Sequence, residues 1–365
     1  MPFDQFNIFP PADQKSWAKA ASQELNGADP FEKLSIQIDG LLIKPYYDAT
    51  DIASIALLPL PSGADAYRGP RDWQTMAWVE VTDSKTANQL ALQQLQRGAD
   101  GLLFVLKAKI NVHQLLDGIQ WPYCRLSFLV DQEQTDFLEA LGHYVKQKNI
   151  NPSDIAGGVF WKSLPSHYPS LANQCAHWKK FRCLGLVFDP SPSPVKEIAR
   201  GLARGVEVID GLTESGLSVA DAFSTLSFSF AVGTNLFFEI AKLKAFRVLW
   251  GNIEKAYGLS MASPPFIHGF SHQWRQEAYE PNGNMIKSTT VAFAAILGGC
   301  DAITVEPSPG DSPHSQRVAL NVLNILREES HLNRTADATA GSYYLDSLTD
   351  QMAKAAWHEF QKLVK

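Results

Sequence analysis

The sequence predicts an α/β protein, a (β/α)8 barrel of the TIM type with an N-terminal extended and helical arm and a C-terminal helical tail. Two observations carry this reading. Eight strand-like runs begin near residues 78, 101, 125, 157, 183, 226, 266 and 302, and a helical stretch follows each one. Several of the runs are apolar throughout, Gly101–Leu106 most plainly. Continuous apolar character is what a parallel strand covered on both faces requires. Eight right-handed βα units in succession close most simply into a barrel. An open doubly wound sheet is the second arrangement compatible with the same alternation.

The elements follow in order. Pro10-Pro11-Ala12-Asp13 opens a helix over Ser16–Leu25 that stops at Asn26-Gly27. Residues 34–38 alternate as a strand, and with Leu41–Pro45 after Gly40 they read as a hairpin. Pro59–Gly63 is a loop by composition. The expected barrel helices are 84–97, 112–119, 135–148, a segment within 171–180, 195–214, 235–257, 284–297 and 314–329. A last amphipathic helix is expected over 348–364. The chain thus divides into an arm (1–66), a barrel (67–334) and a tail (335–365).

Composition narrows the classes of function. The 365 residues are 45% hydrophobic and 19% charged, an ordinary globular balance that excludes disorder as the main state. A net charge of −6 argues against a protein that grips nucleic acid. No apolar run approaches the ~20 residues of a membrane span. The first residues lack a basic and an apolar region, so no signal peptide is expected. Cys124, Cys175, Cys183 and Cys300 form no C-x-x-C pair, and the expected setting is reduced and cytoplasmic.

A barrel places chemistry at the C-terminal ends of its strands. The residues there are Asp83, Lys107, Lys109, Asp131, Lys162, Asp189, His272, Trp274, Arg275, Glu306 and Asp311. They form no calcium loop, phosphate-binding glycine loop or nucleophile elbow, and no nucleophile or base can be named from them. His268 and His272 are four apart and share a strand face; a hydrogen-bonded core His268 with a rim His272 is expected over a metal pair. Asp189 is expected as a cap or loop carboxylate. Phe228 and Phe230, with Phe223, Phe237 and Phe238, read as core. Lys354, His358 and Lys362 read as a solvated helix face.

Several segments resemble the methylmalonyl-CoA mutase family. These are Arg68-Gly69-Pro70, Phe237–Trp250, Ile325–Ser330 and above all Thr335–Thr349, which contains Gly341-Ser342-Tyr343-Tyr344. The opening, with Phe9-Pro10, Trp17 and Leu25-Asn26-Gly27, resembles the arm of that family's small (β) subunit, which wraps its partner subunit. The resemblance implies a barrel that in the active subunit binds acyl-CoA. It also implies a separate flavodoxin-like domain that holds adenosylcobalamin, and a radical interconversion of methylmalonyl-CoA and succinyl-CoA.

The departures from the active subunit are as informative. The D-x-H-x-x-G of the cobalamin domain is absent, and that domain is expected to be missing here. Trp73–Val81 lacks the substrate-contacting Tyr and Arg. Leu184–Asp189 and Gly298–Glu306 each lack the His of the active pattern, whereas His268 and Trp274 match their motif. The resemblance therefore implies a non-catalytic small subunit with no catalytic residue of its own, which pairs with the cobalamin-bearing catalytic (α) subunit. It implies no metal and no cofactor on this chain alone, with adenosylcobalamin in the holoenzyme through the partner. Arg68, His268, Trp274 and Glu306 are its candidate substrate and CoA-channel residues, acyl-CoA being a further candidate ligand. Phe9, Trp17 and Phe31 are its candidate partner-interface residues. The alternatives are an active acyl-CoA mutase barrel completed by another chain, a stand-alone binding module, or an unrelated barrel enzyme using Asp189 or Glu306.

Overall fold

A computed structural model describes residues 13–56, 60, 68–130, 136–260, 264–271, 283–308 and 312–364. The N-terminal region holds α1 (Gln14–Glu24), α2 (Pro30–Leu34), the antiparallel pair β1 (Ile36–Ile38) and β2 (Leu41–Ile43), and α3 (Ala49–Ile52). The barrel begins with β3 (Gln74–Val81), α4 (Ser84–Gln96), β4 (Gly101–Leu106), α5 (Val112–Leu115), β5 (Arg125–Val130) and α6 (Phe137–Gln147). It continues with β6 (Gly157–Trp161), α7 (Tyr168–Cys175), β7 (Phe181–Phe188), α8 (Pro194–Glu214), α9 (Val219–Thr225), β8 (Leu226–Val232) and α10 (Leu236–Ala256). It ends with β9 (Phe266–Ser271), α11 (Gly283–Leu297), β10 (Ala302–Val305) and α12 (Pro313–Glu328), after which comes α13 (Tyr343–Leu363).

Strands β3 to β10 are parallel and close on each other, β10 pairing with both β9 and β3. The predicted barrel is therefore the observed one. Its strands are placed by burial on both faces: β4, β6 and β8 are buried at every residue. Between strands and helices lies the main core, with Trp121, Phe128, Phe228, Phe230, Phe246 and Trp250 among its largest members. Phe223, Phe228, Phe230 and Phe238 thus take the core role expected of them, whereas Phe237, expected in the core, is exposed on α10.

Boundaries shift for identifiable reasons. β3 starts at Gln74, ahead of the apolar run, because Gln74 and Thr75 pair with Ala302 and Ile303 on β10. β7 starts at Phe181 and carries an irregularity opposite Gly158 and Phe160. α5 stops at Leu115, a single turn capped by Asn111. α7 starts earlier than expected, with Pro169 in its first turn. α2, α3 and α9 are short helices that periodicity did not anticipate; Asp29, Asp48 and Ser218 cap them.

The C-terminal helix begins at Tyr343, and Leu345, Leu348, Met352, Ala356 and Phe360 are buried along one side. That side rests on α8 and α10. Lys244 on α10 reaches Asp337 at 2.9 Å and Thr339 Oγ1 at 2.9 Å, so the segment ahead of α13 is held by the barrel too. Gly69 needs its glycine: φ is +83°, and a Cβ there would lie 2.5 Å from the Asn333 carbonyl oxygen.

Candidate functional site

Residues alternate between the barrel's interior and its helix-facing side along each strand. The interior residues Leu103, Val105 and Phe160 form a small cluster of their own, against which Trp78, Leu129, Val187 and Phe266 pack. His268 belongs to this interior. One ring nitrogen, Nδ1, lies 2.8 Å from Ser229 Oγ on β8, and Nε2 lies 2.9 Å from Thr304 Oγ1 on β10. The ring stacks on Phe160 with centroids 4.9 Å apart and on Phe270 at 6.0 Å. Burial pushes the His268 pKa down to about 3, and the Arg125 charge adds to the effect. The imidazole is neutral, with one nitrogen donating and the other accepting. It is the hydrogen-bonded core histidine that strand alternation suggested.

Nearer the N-terminal end, two guanidinium groups flank one ring. Arg125 lies 4.1 Å from the Phe266 centroid and Arg182 lies 5.6 Å from it. Arg182 also donates to the carbonyls of Ser224 and Leu226. Burial, the neighbouring Arg182 charge adding to it, lowers the Arg125 pKa to about 10, still far above neutrality. The barrel axis is therefore occupied at two successive levels, by Phe266 between its arginines and by Phe160 against His268.

The candidates drawn from the sequence do not converge. Arg68 precedes β3 at the N-terminal end, where it donates to Asp100 at 3.2 Å. Asp100 also accepts from Thr75 N and pairs with Arg327 at 2.9 Å. Glu306 follows β10 at the opposite end, its backbone N–H donating to Ser271 Oγ. His268 lies buried between them. Trp274 and Phe9 fall outside the described residues, as do Asp131, His272, Arg275 and Asp311. Trp17 and Phe31 meet in the arm with centroids 5.4 Å apart, and Trp17 also packs on Tyr46 at 5.3 Å.

Of the other rim residues, Asp83 caps α4 by accepting from Thr86 N. Hydrogen bonds from Thr86 hold its carboxyl below the ordinary range. Lys109 pairs with Asp136 on the surface, and Asp189 is exposed in a loop. Ser193, not Asp189, caps α8. Among the described residues, no three His, Cys, Asp or Glu side chains are grouped to hold a metal ion. No described helix is long and apolar enough to cross a membrane.

One charged cluster was not anticipated. Lys242 on α10 is buried and contacts Glu197 at 2.9 Å, Glu239 at 2.7 Å and the Ala231 carbonyl at 3.0 Å. Burial opposes the ammonium, yet the two carboxylates together hold its pKa above the usual value. Burial pushes Glu197 up to about 7 in spite of Lys242. Lys242 is thus a buried cation held between the carboxyl groups of Glu197 and Glu239. The signal was a lysine inside the apolar run Ile240–Phe246; its partner Glu197 lies 45 positions away in the chain and could not be read from it.

Fold and interior together define a (β/α)8 barrel whose axis is packed with side chains. The sequence comparisons specify the family. The family model described as methylmalonyl-CoA mutase matches residues 172–365, and the chain belongs to that family. The methylmalonyl-CoA mutase small subunit of Porphyromonas gingivalis is 29% identical over 97% of this chain and 63% of its own length. The protein of the same name from Streptomyces virginiae is 27% identical over 97% of this chain and 64% of its length. The methylmalonyl-CoA mutase of Escherichia coli is 25% identical over 94% of this chain and 57% of its length. The chain therefore spans about three-fifths of the length of these curated relatives.

Proposed function

We propose that this chain is a non-catalytic small subunit of a methylmalonyl-CoA mutase, pairing with and stabilising the catalytic subunit that carries adenosylcobalamin. The observation that carries the reading is His268. It is the one histidine that matches the active pattern, and both of its nitrogens are engaged with Ser229 and Thr304 inside a barrel level closed by Phe160. A group so placed can neither polarise a substrate carbonyl nor ligate cobalt without losing two buried hydrogen bonds. The names of the Porphyromonas and Streptomyces relatives, both small subunits, support the subunit role. The cofactor belongs to the partner in this reading, and so does the interconversion of methylmalonyl-CoA and succinyl-CoA, in the cytoplasm.

Co-expression with the catalytic subunit tests this reading, followed by affinity capture and an isomerisation assay. The expected result is a stable complex with turnover, against no turnover and no adenosylcobalamin spectral shift for this chain alone. Turnover by the chain free of its partner, or a base-off, His-on cobalamin spectrum, would overturn it.

A further inference from the structure

Helix α4 turns a buried stripe of Ser84, Ala87, Ala91 and Gln94 toward the barrel. The first three are small. The fourth is a glutamine with no exposed surface. Neither its Nε2 nor its Oε1 has a hydrogen-bond partner among the described residues. A side-chain amide offers two donors and an oxygen with two lone pairs, so Gln94 carries both kinds of unmet group. Burying a polar group without a partner costs ~1–3 kcal/mol. Elsewhere buried polar side chains find carbonyls: Trp161 Nε1 donates to Cys183 at 2.9 Å, and Tyr144 Oη donates to Leu116 at 3.1 Å. No carbonyl does this for Gln94, and its partner has to come from outside the chain.

A cavity of about 10 Å3 lies against this side chain. Gln94 and Gln316 line it together with Ala77 of β3, Val305 of β10, and Ala319 and Leu320 of α12. Gln316 is itself buried, in the first turn of α12. Ala77 and Ala319, the small residues on the walls, leave the space. It is the size of one water and admits no organic molecule. Its chemistry also suits water. Apolar cavities stay dry, whereas a buried water typically makes about two to four hydrogen bonds to polar groups that lack other partners. Two amides supply donors and acceptors on walls that are otherwise apolar. The location is specific too. β10 and β3 are the pair that closes the barrel, α4 follows β3 and α12 follows β10. The cavity therefore sits where the first and last βα units meet.

We propose that this cavity is a binding site for one water molecule, which bonds to the Gln94 side chain and, across the seam of the barrel, to that of Gln316. The water joins a helix of the first βα unit to a helix of the last. The site depends on neither a partner subunit nor a substrate. Two measurements on the full chain test it. A high-resolution crystal structure of wild type maps the cavity, and oxygen-17 relaxation dispersion counts long-lived internal waters in wild type and Gln94→Met. Methionine keeps the length of the side chain and removes its polar atoms. The expected map shows one water within hydrogen-bond distance of both glutamines, and the expected count falls by one in the variant. A thermal melt establishes that the variant is folded; if it is not, the wild-type map decides. A map in which the Gln94 amide bonds to protein atoms with no water beside it overturns the proposal. So does an unchanged water count in a folded variant.

Discussion

The carboxylate of Asp39, at the tip of the β1–β2 hairpin, accepts a hydrogen bond from Ser193 Oγ at 2.8 Å and another from Val195 N at 3.1 Å. Asp39 has φ +54°, a left-handed conformation that aspartate tolerates better than most residues. The N-terminal hairpin thus satisfies an open amide at the start of α8 and brings negative charge to the positive end of that helix. Leu41 is buried beside it, and Tyr47 packs on Tyr344 of α13 at 5.2 Å. Asp39→Ala should therefore cost ~1 kcal/mol, as a lost helix cap does. Hydrogen exchange over residues 36–43 should quicken while exchange in the barrel strands holds. Equal acceleration throughout would mean that the hairpin and the barrel open as one unit.

The region ahead of the hairpin behaves differently. Helix α1 has no buried residue, and Trp17 is only half-buried between Phe31 and Tyr46. Deleting residues 1–30 should leave the barrel's melting temperature nearly unchanged and weaken the complex with the catalytic subunit. Trp17→Ala should by itself weaken that complex by ~2 kcal/mol, as aromatic anchors do. Titration calorimetry and thermal melts on the same samples check both statements. Unchanged affinity, or a barrel that unfolds, would assign the arm to this chain's own core.

His268 makes stability depend on pH. Its folded-state pKa is about 3, against 6.5 for the free side chain. Below 6.5 the unfolded chain takes up a proton that the folded chain refuses, so this contribution is complete above 6.5 and is lost as pH falls toward 3. The loss approaches ~1.4 kcal/mol per pH unit for one proton. The margin by which wild type exceeds His268→Gln in urea unfolding should therefore shrink from pH 7 to pH 5. A margin independent of pH would show that the imidazole titrates in the fold as it does in the unfolded chain.

Removing Lys242 leaves the buried Glu197 and the partly buried Glu239 without their cation. Lys242→Met should cost ~3–5 kcal/mol, the range for breaking one side of a buried ion pair. Adding Glu197→Gln and Glu239→Gln to that variant should recover a large part of the loss, because no uncompensated charge is then left. Guanidinium unfolding of the single and triple variants decides the point. A triple variant as unstable as the single one would place the cost in lost packing instead.

The barrel was legible because its strands are buried on both faces. The run Gly101–Leu106 has no polar alternation that could be mistaken for a surface, whereas Leu226–Val232 alternates through Ser227 and Ser229, which are buried as well. The start of β3 was not legible: Gln74 is polar and joins the sheet only through its pairing with Ala302, at the far end of the chain. His268 carried two readings, a hydrogen-bonded core residue and a channel candidate, and its burial between Ser229 and Thr304 bears out the first. Arg125 opens β5 and Arg182 is the second residue of β7, and nothing local to either marks a shared partner. Their common ring, Phe266, comes from a third strand and is brought to them only by barrel closure.

The stack of Phe160 on His268 has a further consequence. Proteins that must turn over substrate carry strained or emptied regions that oppose rigidity, and stabilising changes there commonly reduce activity. A barrel with aromatic rings across its axis that serves no reaction of its own, as proposed here, would be free of that conflict. Under that proposal, substitutions that fill space around Leu103 and Val105 would be limited by steric fit alone, and the barrel could be hardened against heat from the inside with turnover left to the proposed partner.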